Sequence, residues 1–146
     1  MAEYLAFRVA GDVFALPLAD VREILVPPLV TLVPRAPREV LGIVSVRGQL
    51  VTVLDLAIRL SIERGEPGKR ARILLVLSPD DETMGLVVDE VMSVYRLGEE
   101  EIEPAAGALG GNVAEHVTGI GRRDGQTLVL LSLSALLSPA GARAAR

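Results

Sequence analysis

The stretch LGIVSVRGQLVTVLDLAIRL, residues 41–60, returns in altered form as TGIGRRDGQTLVLLSLSALL, residues 118–137. Aligned without gaps, the two stretches are identical at seven of twenty positions, namely 42/119, 43/120, 48/125, 49/126, 54/131, 56/133 and 60/137. A weaker echo relates residues 14–24 to residues 84–94. Chance similarity between hairpins rich in valine and leucine is the alternative interpretation. The repeat favours two copies of a strand–turn–strand–helix unit.

Short apolar runs recur on both sides of these stretches, and their length of four to eight residues is typical of strands. Turn-forming pairs such as Arg47-Gly48 and Asp124-Gly125 separate them. The pattern predicts a barrel or sandwich of short strands. The predicted strands are Tyr4–Val9, Val13–Leu18, Leu29–Val33, Ile43–Val46, Leu50–Leu54, Arg72–Leu77, Met84–Val88, Val91–Leu97, Val117–Gly121 and Leu128–Leu131.

Three short helices are predicted to interrupt the strands, at Asp20–Ile24, Asp55–Leu60 and Leu133–Leu137. Asp55 and Ser132 are suitable N-caps for the second and third, because their side-chain oxygens can accept from N–H groups of the first turn. The glycine- and proline-containing segment 62–70 is expected to be a loop. The two repeat units are too small to bury a sizeable core separately, so we expect them to share an apolar seam.

Composition excludes several classes of protein. The 146 residues carry a formal net charge of −4 and few aromatic residues, so a nucleic-acid binder is not expected. There is no cysteine, which excludes disulfides and cysteine metal sites. No apolar run approaches the ~20 residues of a membrane span, and the start lacks the pattern of a secretory signal. A cytoplasmic protein without direct membrane insertion is therefore expected.

Side chains that could perform catalysis are scarce. The single histidine, His116, lies in a polar segment and is predicted to be a solvated loop residue. No nucleophile elbow, phosphate loop or metal-binding helix motif is present. We therefore predict no catalytic residues, no metal and no cofactor. The acidic group at residues 99–103 is either a solvated turn anchored by Ile102 or an electrostatic contact for a basic partner.

Arg47 is a better candidate for recognition. It occupies the tip of a hairpin whose strands are almost entirely apolar. A scaffold fixes such a tip while leaving it exposed, and a guanidinium can hold a carboxylate or backbone carbonyls of another protein. An ordinary solvated turn arginine is the alternative.

At this hairpin the sequence resembles the CheW family of chemotaxis coupling proteins. Residues 42–56, GIVSVRGQLVTVLDL, are similar to the family signature G-V-x-N-L-R-G-x-[VI]-[VI]-P-[VI]-[VI]-D-L. The resemblance continues in family order over about residues 4–137. It includes the opening strands, the V-x-E-I turn at residues 21–24, MGLVVDEV at 84–91 and EIEP at 101–104.

The resemblance implies an all-β fold with short helices, in which two SH3-like five-stranded β-barrels are related by a pseudo-twofold axis. Residues 1–138 would form a single CheW-like domain. Its first subdomain would span about 12–70, and its second about 71–138 together with the N-terminal strand 4–10. Residues 139–146 are expected to be a disordered tail.

The resemblance also implies a function. CheW-type proteins are non-enzymatic adaptors that bridge the cytoplasmic tips of chemoreceptors, in membrane receptor arrays, to the regulatory domain of the histidine kinase CheA. By position, the expected receptor-binding residues are Val21, Glu23, Gly42, Arg47 and Val94. The kinase is expected to bind an apolar edge of the first barrel, at residues that the sequence does not identify.

The sequence departs from the family pattern at several positions. Ser45-Val46 replaces the usual Asn-Leu, and Thr52 stands where proline is common. Ser132 and Ser134 occupy positions that are often aspartate. The segment Leu25-Val26-Pro27-Pro28 is more apolar than usual. These departures favour an alternative, a divergent paralogue that binds only receptor or only kinase in a pathway for gliding, pili or development.

Overall fold

The computed structural model describes residues 1–63, 65, 68–105 and 115–137. Most of these residues form eleven short strands, and two one-turn helices follow strands. The elements in chain order are β1 (Ala2–Val9), β2 (Asp12–Pro17), β3 (Val21–Leu25), β4 (Val40–Val46), β5 (Gln49–Asp55), α1 (Leu56–Arg59), β6 (Arg72–Leu77), β7 (Thr83–Val88), β8 (Glu90–Leu97), β9 (Ile102–Pro104), β10 (Val117–Arg123), β11 (Gln126–Leu131) and α2 (Leu133–Leu136).

The strands form two sheets with equivalent topology. One sheet has the order β8-β1-β2-β11-β10-β9, and we call it the terminal barrel. The other has the order β3-β6-β7-β5-β4, and we call it the central barrel. In each, a parallel pair, β2–β11 or β7–β5, joins two antiparallel hairpins. The predicted fold class, mostly β in two small barrels related by a pseudo-twofold, is confirmed.

The strand registers show the same twofold as the sequence repeat. In the central barrel Thr52 pairs with Met84, and in the terminal barrel Val129 pairs with Phe14. The repeat aligns Thr52 with Val129, because these two residues are 77 positions apart, the same offset as between Gly42 and Gly119. The weaker echo aligns Phe14 with Met84. Both sequence similarities therefore follow one structural symmetry.

A shared apolar seam joins the barrels. Leu5 and Phe7 of β1 and Leu74 and Val76 of β6 belong to one buried cluster that contains residues of both barrels. The alternate residues point into the barrel interiors, where smaller separate clusters lie. Because these strands are buried on both faces, they are apolar at consecutive positions instead of alternating. The predicted seam is confirmed.

Two predicted elements are wrong. Asp20–Ile24 is not a helical turn, since a 3₁₀ turn at Leu18–Asp20 precedes strand β3. The β-branched Val21 and Ile24 pair with β6, and this ladder outweighs the weak local helix signal. The strand predicted at Leu29–Val33 is reduced to one bridge, between Thr31 and Ile43. Prolines on both sides of it lack the N–H that a longer ladder needs.

The division of the strands between the barrels also differs from the expected subdomain bounds of 12–70 and 71–138. β2 joins the terminal barrel, and β6 and β7 join the central barrel. The reason is local: β1–β2 and β6–β7 are antiparallel hairpins, and each hairpin stays within one barrel. The central barrel is therefore a continuous insertion between β2 and β8.

The two other predicted helices are confirmed with their caps. The Asp55 carboxylate accepts from the Ala57 N–H at 3.0 Å, and the Ser132 hydroxyl accepts from the Ala135 N–H at 3.2 Å. The predicted loop at residues 62–70 is described only in part. The predicted tail, 139–146, lies outside the described residues.

Candidate functional site

Arg47 and Gly48 form the two-residue turn between β4 and β5, where Val46 pairs with Gln49. Both residues have positive φ, 48° for Arg47 and 81° for Gly48. Such a turn matches the twist of a hairpin, and glycine or asparagine is its usual occupant. An arginine in the left-handed region has a conformational cost. Its presence at this position therefore points to a role other than turn formation.

The Arg47 guanidinium forms a two-pronged ion pair with Glu23 of strand β3. Nη1 donates to Oε2 at 3.0 Å, and Nη2 donates to Oε1 at 2.6 Å. These hydrogen bonds, assisted by the arginine's charge, hold the pKa of Glu23 below its ordinary value. The same contacts raise the pKa of Arg47. The structure thus brings together two of the five predicted receptor-binding residues.

This ion pair is on the surface. The side chains of Arg47 and Glu23 are 69% and 38% exposed, respectively. Exposed pairs add little to stability, because water and salt screen them. The geometry does, however, hold a guanidinium and a carboxylate in fixed orientations on the outside of the central barrel.

Gly42 has a structural role that accounts for its identity. A Cβ at this position would collide with the Thr31 carbonyl oxygen and would lie 2.6 Å from a Val30 methyl group. The segment before β4 lies antiparallel to that strand here, and Thr31 and Ile43 exchange two backbone hydrogen bonds of 2.8 Å. A Cβ added at its repeat counterpart Gly119 would lie 2.9 Å from the Glu103 carbonyl oxygen, a milder conflict of the same kind.

The two predicted valines have different environments. Val21 is half-buried and packs against the seam, which indicates a contribution to the core. Val94 is 45% exposed on β8, an edge strand of the terminal barrel. Val94 therefore lies on the other barrel from Arg47, Glu23 and Gly42.

Ile24 is a candidate that the sequence interpretation missed. It is 43% exposed on β3, the corresponding edge strand of the central barrel, and it follows Glu23 directly. Ile24 pairs with Leu74, as Val94 pairs with Leu5 in the other barrel. The echo between residues 14–24 and 84–94 aligns Ile24 with Val94, so the signal was present in the sequence.

A second surface feature follows β3. Four apolar side chains between β3 and β4 are exposed, and we call them the apolar segment: Val26 at 72%, Leu29 at 92%, Leu32 at 74% and Val33 at 38%. Val30 packs against the central-barrel core and anchors the segment. The sequence from residue 24 to residue 38 contains two arginines and no acidic residue. Exposed apolar side chains concentrated in one region are typical of protein-binding surfaces.

Part of the acidic group at residues 99–103 forms ion pairs with arginines of the same chain. Ile102 packs against the terminal-barrel core, as the solvated-turn interpretation expected. Glu101 pairs with Arg123 and Glu103 with Arg122, both at 3.0 Å.

His116 differs from its prediction. It is buried, with 5% exposure, and its carbonyl accepts from the Ser132 N–H at 2.8 Å. Burial follows from its position just before β10, where the chain enters the sheet.

No group of three or more potential metal ligands occurs in the described part of the chain. Within residues 1–63, 65, 68–105 and 115–137, no helix has the length and apolar character to span a membrane.

The fold is a double β-barrel, and its candidate binding residues lie on the outer surface: the Arg47–Glu23 pair, Val94, Ile24 and the apolar segment. A family model described as a CheW-like domain matches residues 3–140. The chain belongs to this CheW-like family, which confirms the resemblance.

Individual proteins agree with the family match. A probable chemotaxis protein CheW of Rhizobium etli is 29% identical over 98% of this chain and 92% of its own length. Protein FrzA of Myxococcus xanthus is 33% identical over 97% of this chain and 89% of its own length. The crystal structure of the scaffolding protein TtCheW from Thermoanaerobacter tengcongensis has a TM-score of 0.87 and 28% identity, and the match covers 96% of this chain and 94% of that one.

Proposed function

We propose that this chain is a non-enzymatic adaptor that bridges the cytoplasmic tips of chemoreceptors to the regulatory domain of the histidine kinase CheA. The observation that carries the proposal is the Arg47–Glu23 pair at the tip of the signature hairpin. An arginine, which is unfavourable in this turn, occupies the position and points outwards, where it adds little to stability. Binding another protein is the role that accounts for both facts.

The receptor-binding surface in this proposal spans both barrels. Arg47 and Glu23 supply its polar part on the central barrel, and Val94 supplies an apolar contact on the terminal barrel. Gly42 contributes indirectly, because it lets the segment before β4 pack closely against that strand. Val21 contributes by placing β3 against the seam. Ile24 adds an exposed apolar side chain beside Glu23.

The kinase-binding surface in this proposal is the apolar segment. It matches the expectation of an apolar edge on the first barrel, and it is the most exposed group of large apolar side chains between two strands of that barrel. Arg35 and Arg38 follow it, and Glu39 is the one acidic residue beside them, so the local charge is positive and the fitting partner has an apolar face with an acidic border.

Bivalent scaffolding is the proposed mechanism. One stiff body holds receptor tip and kinase in fixed geometry, so that a small receptor motion changes kinase activity, and the adaptor itself makes or breaks no bond. Joining two binding events in this way raises effective concentration, so neither contact needs to be tight. In the cell, this places the chain in the cytoplasm on membrane receptor arrays.

The test is co-sedimentation of purified kinase with vesicles that carry the receptor cytoplasmic domain, with and without the full-length chain. We expect the kinase to sediment efficiently only when the chain is present. The variant Arg47→Ala should weaken receptor binding and keep kinase binding, whereas Leu29→Ser/Leu32→Ser should weaken kinase binding and keep receptor binding, so each is the control for the other. Equal kinase sedimentation without the chain would contradict the proposal.

A second candidate function is a paralogue that binds only one of the two partners in a pathway other than flagellar chemotaxis. The similarity to FrzA, at 33% identity over nearly the whole chain, favours it. Separate binding assays with cognate kinase and receptor tip distinguish the two candidates, because only the bridging adaptor binds both.

A further inference from the structure

Arg59 connects the two barrels. It lies in the last turn of α1, on the central barrel, yet its guanidinium reaches α2 of the terminal barrel. Nε donates to the Leu136 carbonyl at 2.7 Å, and Nη2 donates to the Ala135 carbonyl at 3.3 Å. These oxygens lie at the carboxyl end of α2, which favours a positive charge, and the Ala135 carbonyl also accepts from the Leu137 N–H.

The contact breaks the pseudo-twofold symmetry. In the repeat alignment the counterpart of Arg59 is Leu136, which is fully buried in the seam. α2 has no basic residue in its last turn. Leucine thus occupies this position in the second copy of the unit, whereas the first copy has a side chain that reaches across to its neighbour.

The apolar seam and the Arg59 contact constrain the barrels in different ways. The seam consists of Leu, Val and Phe side chains, whose burial is favourable in many relative orientations because the hydrophobic effect has no direction. Hydrogen bonds from a guanidinium have a fixed fork geometry. A small rotation of one barrel would therefore preserve most of the seam while it breaks both Arg59 hydrogen bonds.

Another polar connection lies where the chain crosses between the barrels after β7. The Asp89 N–H donates to the Arg8 carbonyl at 2.9 Å, and the Ala10 N–H donates to the Asp89 carboxylate at 2.7 Å. Asp89 is the single residue between β7 and β8, so this connection lies at the covalent link between the barrels. Arg59 is 30 residues from Asp89 along the chain, so its contact does not follow from chain connectivity.

We propose that Arg59 is a positioning residue that fixes the relative orientation of the two barrels. The consequence for binding rests on the proposed function. The orientation sets the distance between the two halves of the receptor-binding surface, Arg47–Glu23 on one barrel and Val94 on the other. The apolar segment lies on the central barrel alone. Loss of Arg59 should therefore weaken receptor binding and leave kinase binding unchanged.

The orientation is measured by distances between two spin labels. The chain contains no cysteine, so Ser45→Cys on β4 and Ser93→Cys on β8, both exposed, give one unique pair of labels across the barrels. In this background Arg59→Leu replaces the arginine by its own repeat counterpart, which has no hydrogen-bond donor in its side chain. We expect a clearly broader distance distribution for Arg59→Leu, and an intermediate one for Arg59→Lys, which keeps a charged donor but lacks the fork geometry.

The effect of Arg59 substitutions on receptor and kinase binding is measured on unlabelled protein. For Arg59→Leu we expect receptor-tip affinity to fall roughly three- to tenfold, as is usual when a preorganised two-part site loses rigidity, and kinase affinity to stay within about twofold. A purely structural role would lower both affinities in proportion to the folded fraction, or neither. If Arg59→Leu does not fold, Arg59→Gln, whose amide is too short to reach both carbonyls, replaces it in both measurements.

An unchanged distance distribution in the leucine or glutamine variant would overturn the positioning role whatever the binding results. A broadened distribution with wild-type receptor affinity would overturn its link to receptor binding. If the wild-type chain binds no receptor tip, the proposed function fails, and the label distances still decide whether Arg59 orients the barrels.

Discussion

At the scale of single residues, one arginine meets two opposing requirements. The turn at Arg47-Gly48 favours residues that tolerate positive φ, and its repeat counterpart Asp124-Gly125, with φ of 51° and 79°, has such a residue. At position 47 the chain instead has a long cationic side chain that grips Glu23. Residues that break a local rule in this way concentrate at functional sites, because selection there acts on binding.

The first prediction concerns Arg47. Arg47→Ala should weaken receptor-tip binding about tenfold, as expected for an arginine at the centre of an interface, with little change in the unfolding midpoint. Surface plasmon resonance and thermal melts provide the two measurements. Arg122→Ala is the matched control, because Arg122 is 61% exposed and forms a 3.0 Å ion pair on the equivalent hairpin of the other barrel.

A second variant separates the turn from the interface. Asparagine is favoured at positive φ, so Arg47→Asn should be at least as stable as Arg47→Ala and should lose receptor affinity to the same degree. Receptor binding that is unchanged in both variants would exclude Arg47 from the receptor-binding surface.

The second prediction concerns the ionisation of Glu23. Since the Arg47 hydrogen bonds lower its folded-state pKa, the pair stabilises the fold fully above the unfolded-state pKa of the glutamate, and this contribution is lost as pH falls through the folded-state pKa. NMR titration of the Glu23 carboxyl should give a midpoint below that of an unpaired glutamate. In Arg47→Ala the midpoint should rise; a midpoint that is equal in both proteins would mean that the ion pair does not persist in solution.

At the scale of elements, the close pairing of the segment before β4 with that strand explains the glycine that opens the signature. The third prediction is that Gly42→Ala lowers the free energy of unfolding by about 1–3 kcal/mol, because its methyl group would collide with the Thr31 carbonyl, which is held by two backbone hydrogen bonds. Urea denaturation measures this loss.

Gly68→Ala is the control for this substitution. An added Cβ at Gly68 meets no atom within 4 Å, so the change should stay within about 0.5 kcal/mol. Equal free energies of unfolding for the Gly42 and Gly68 variants would show that the segment around Thr31 shifts away from β4 without loss of stability.

At the scale of the whole molecule, the seam makes the barrels one thermodynamic unit. Leu86 of β7 is fully buried in the cluster that both barrels share. The fourth prediction is that Leu86→Ala costs about 2–5 kcal/mol and that both barrels still unfold in one transition. Denaturant-dependent hydrogen exchange at the Leu74 and Leu130 amides, one in each barrel, measures this.

Leu32→Ala is the matched control, because it removes the same atoms from a side chain that is 74% exposed. Its effect on stability should be small. Separate transitions for the two amides in Leu86→Ala would mean that the barrels are independently stable and that the seam does not couple them.

The sequence determined the local and repeated features of this protein. Strand lengths, the caps at Asp55 and Ser132 and the paired units at residues 41–60 and 118–137 depend on interactions between near neighbours, so their residue patterns predict them. The family resemblance added the fold class and the position of Arg47. Even the exposed Ile24 was accessible through the echo that pairs it with Val94.

Only the tertiary structure decided which partners distant segments choose. The strand at Val21–Leu25 forms because β6 lies beside it, and the parallel pairs β2–β11 and β7–β5 join residues far apart in the chain. The Arg47–Glu23 pair spans 24 positions, and the Arg59–Leu136 contact spans 77. Such contacts are set by the tertiary arrangement of strands within and between the barrels, and this arrangement depends on three-dimensional proximity that a linear pattern does not encode.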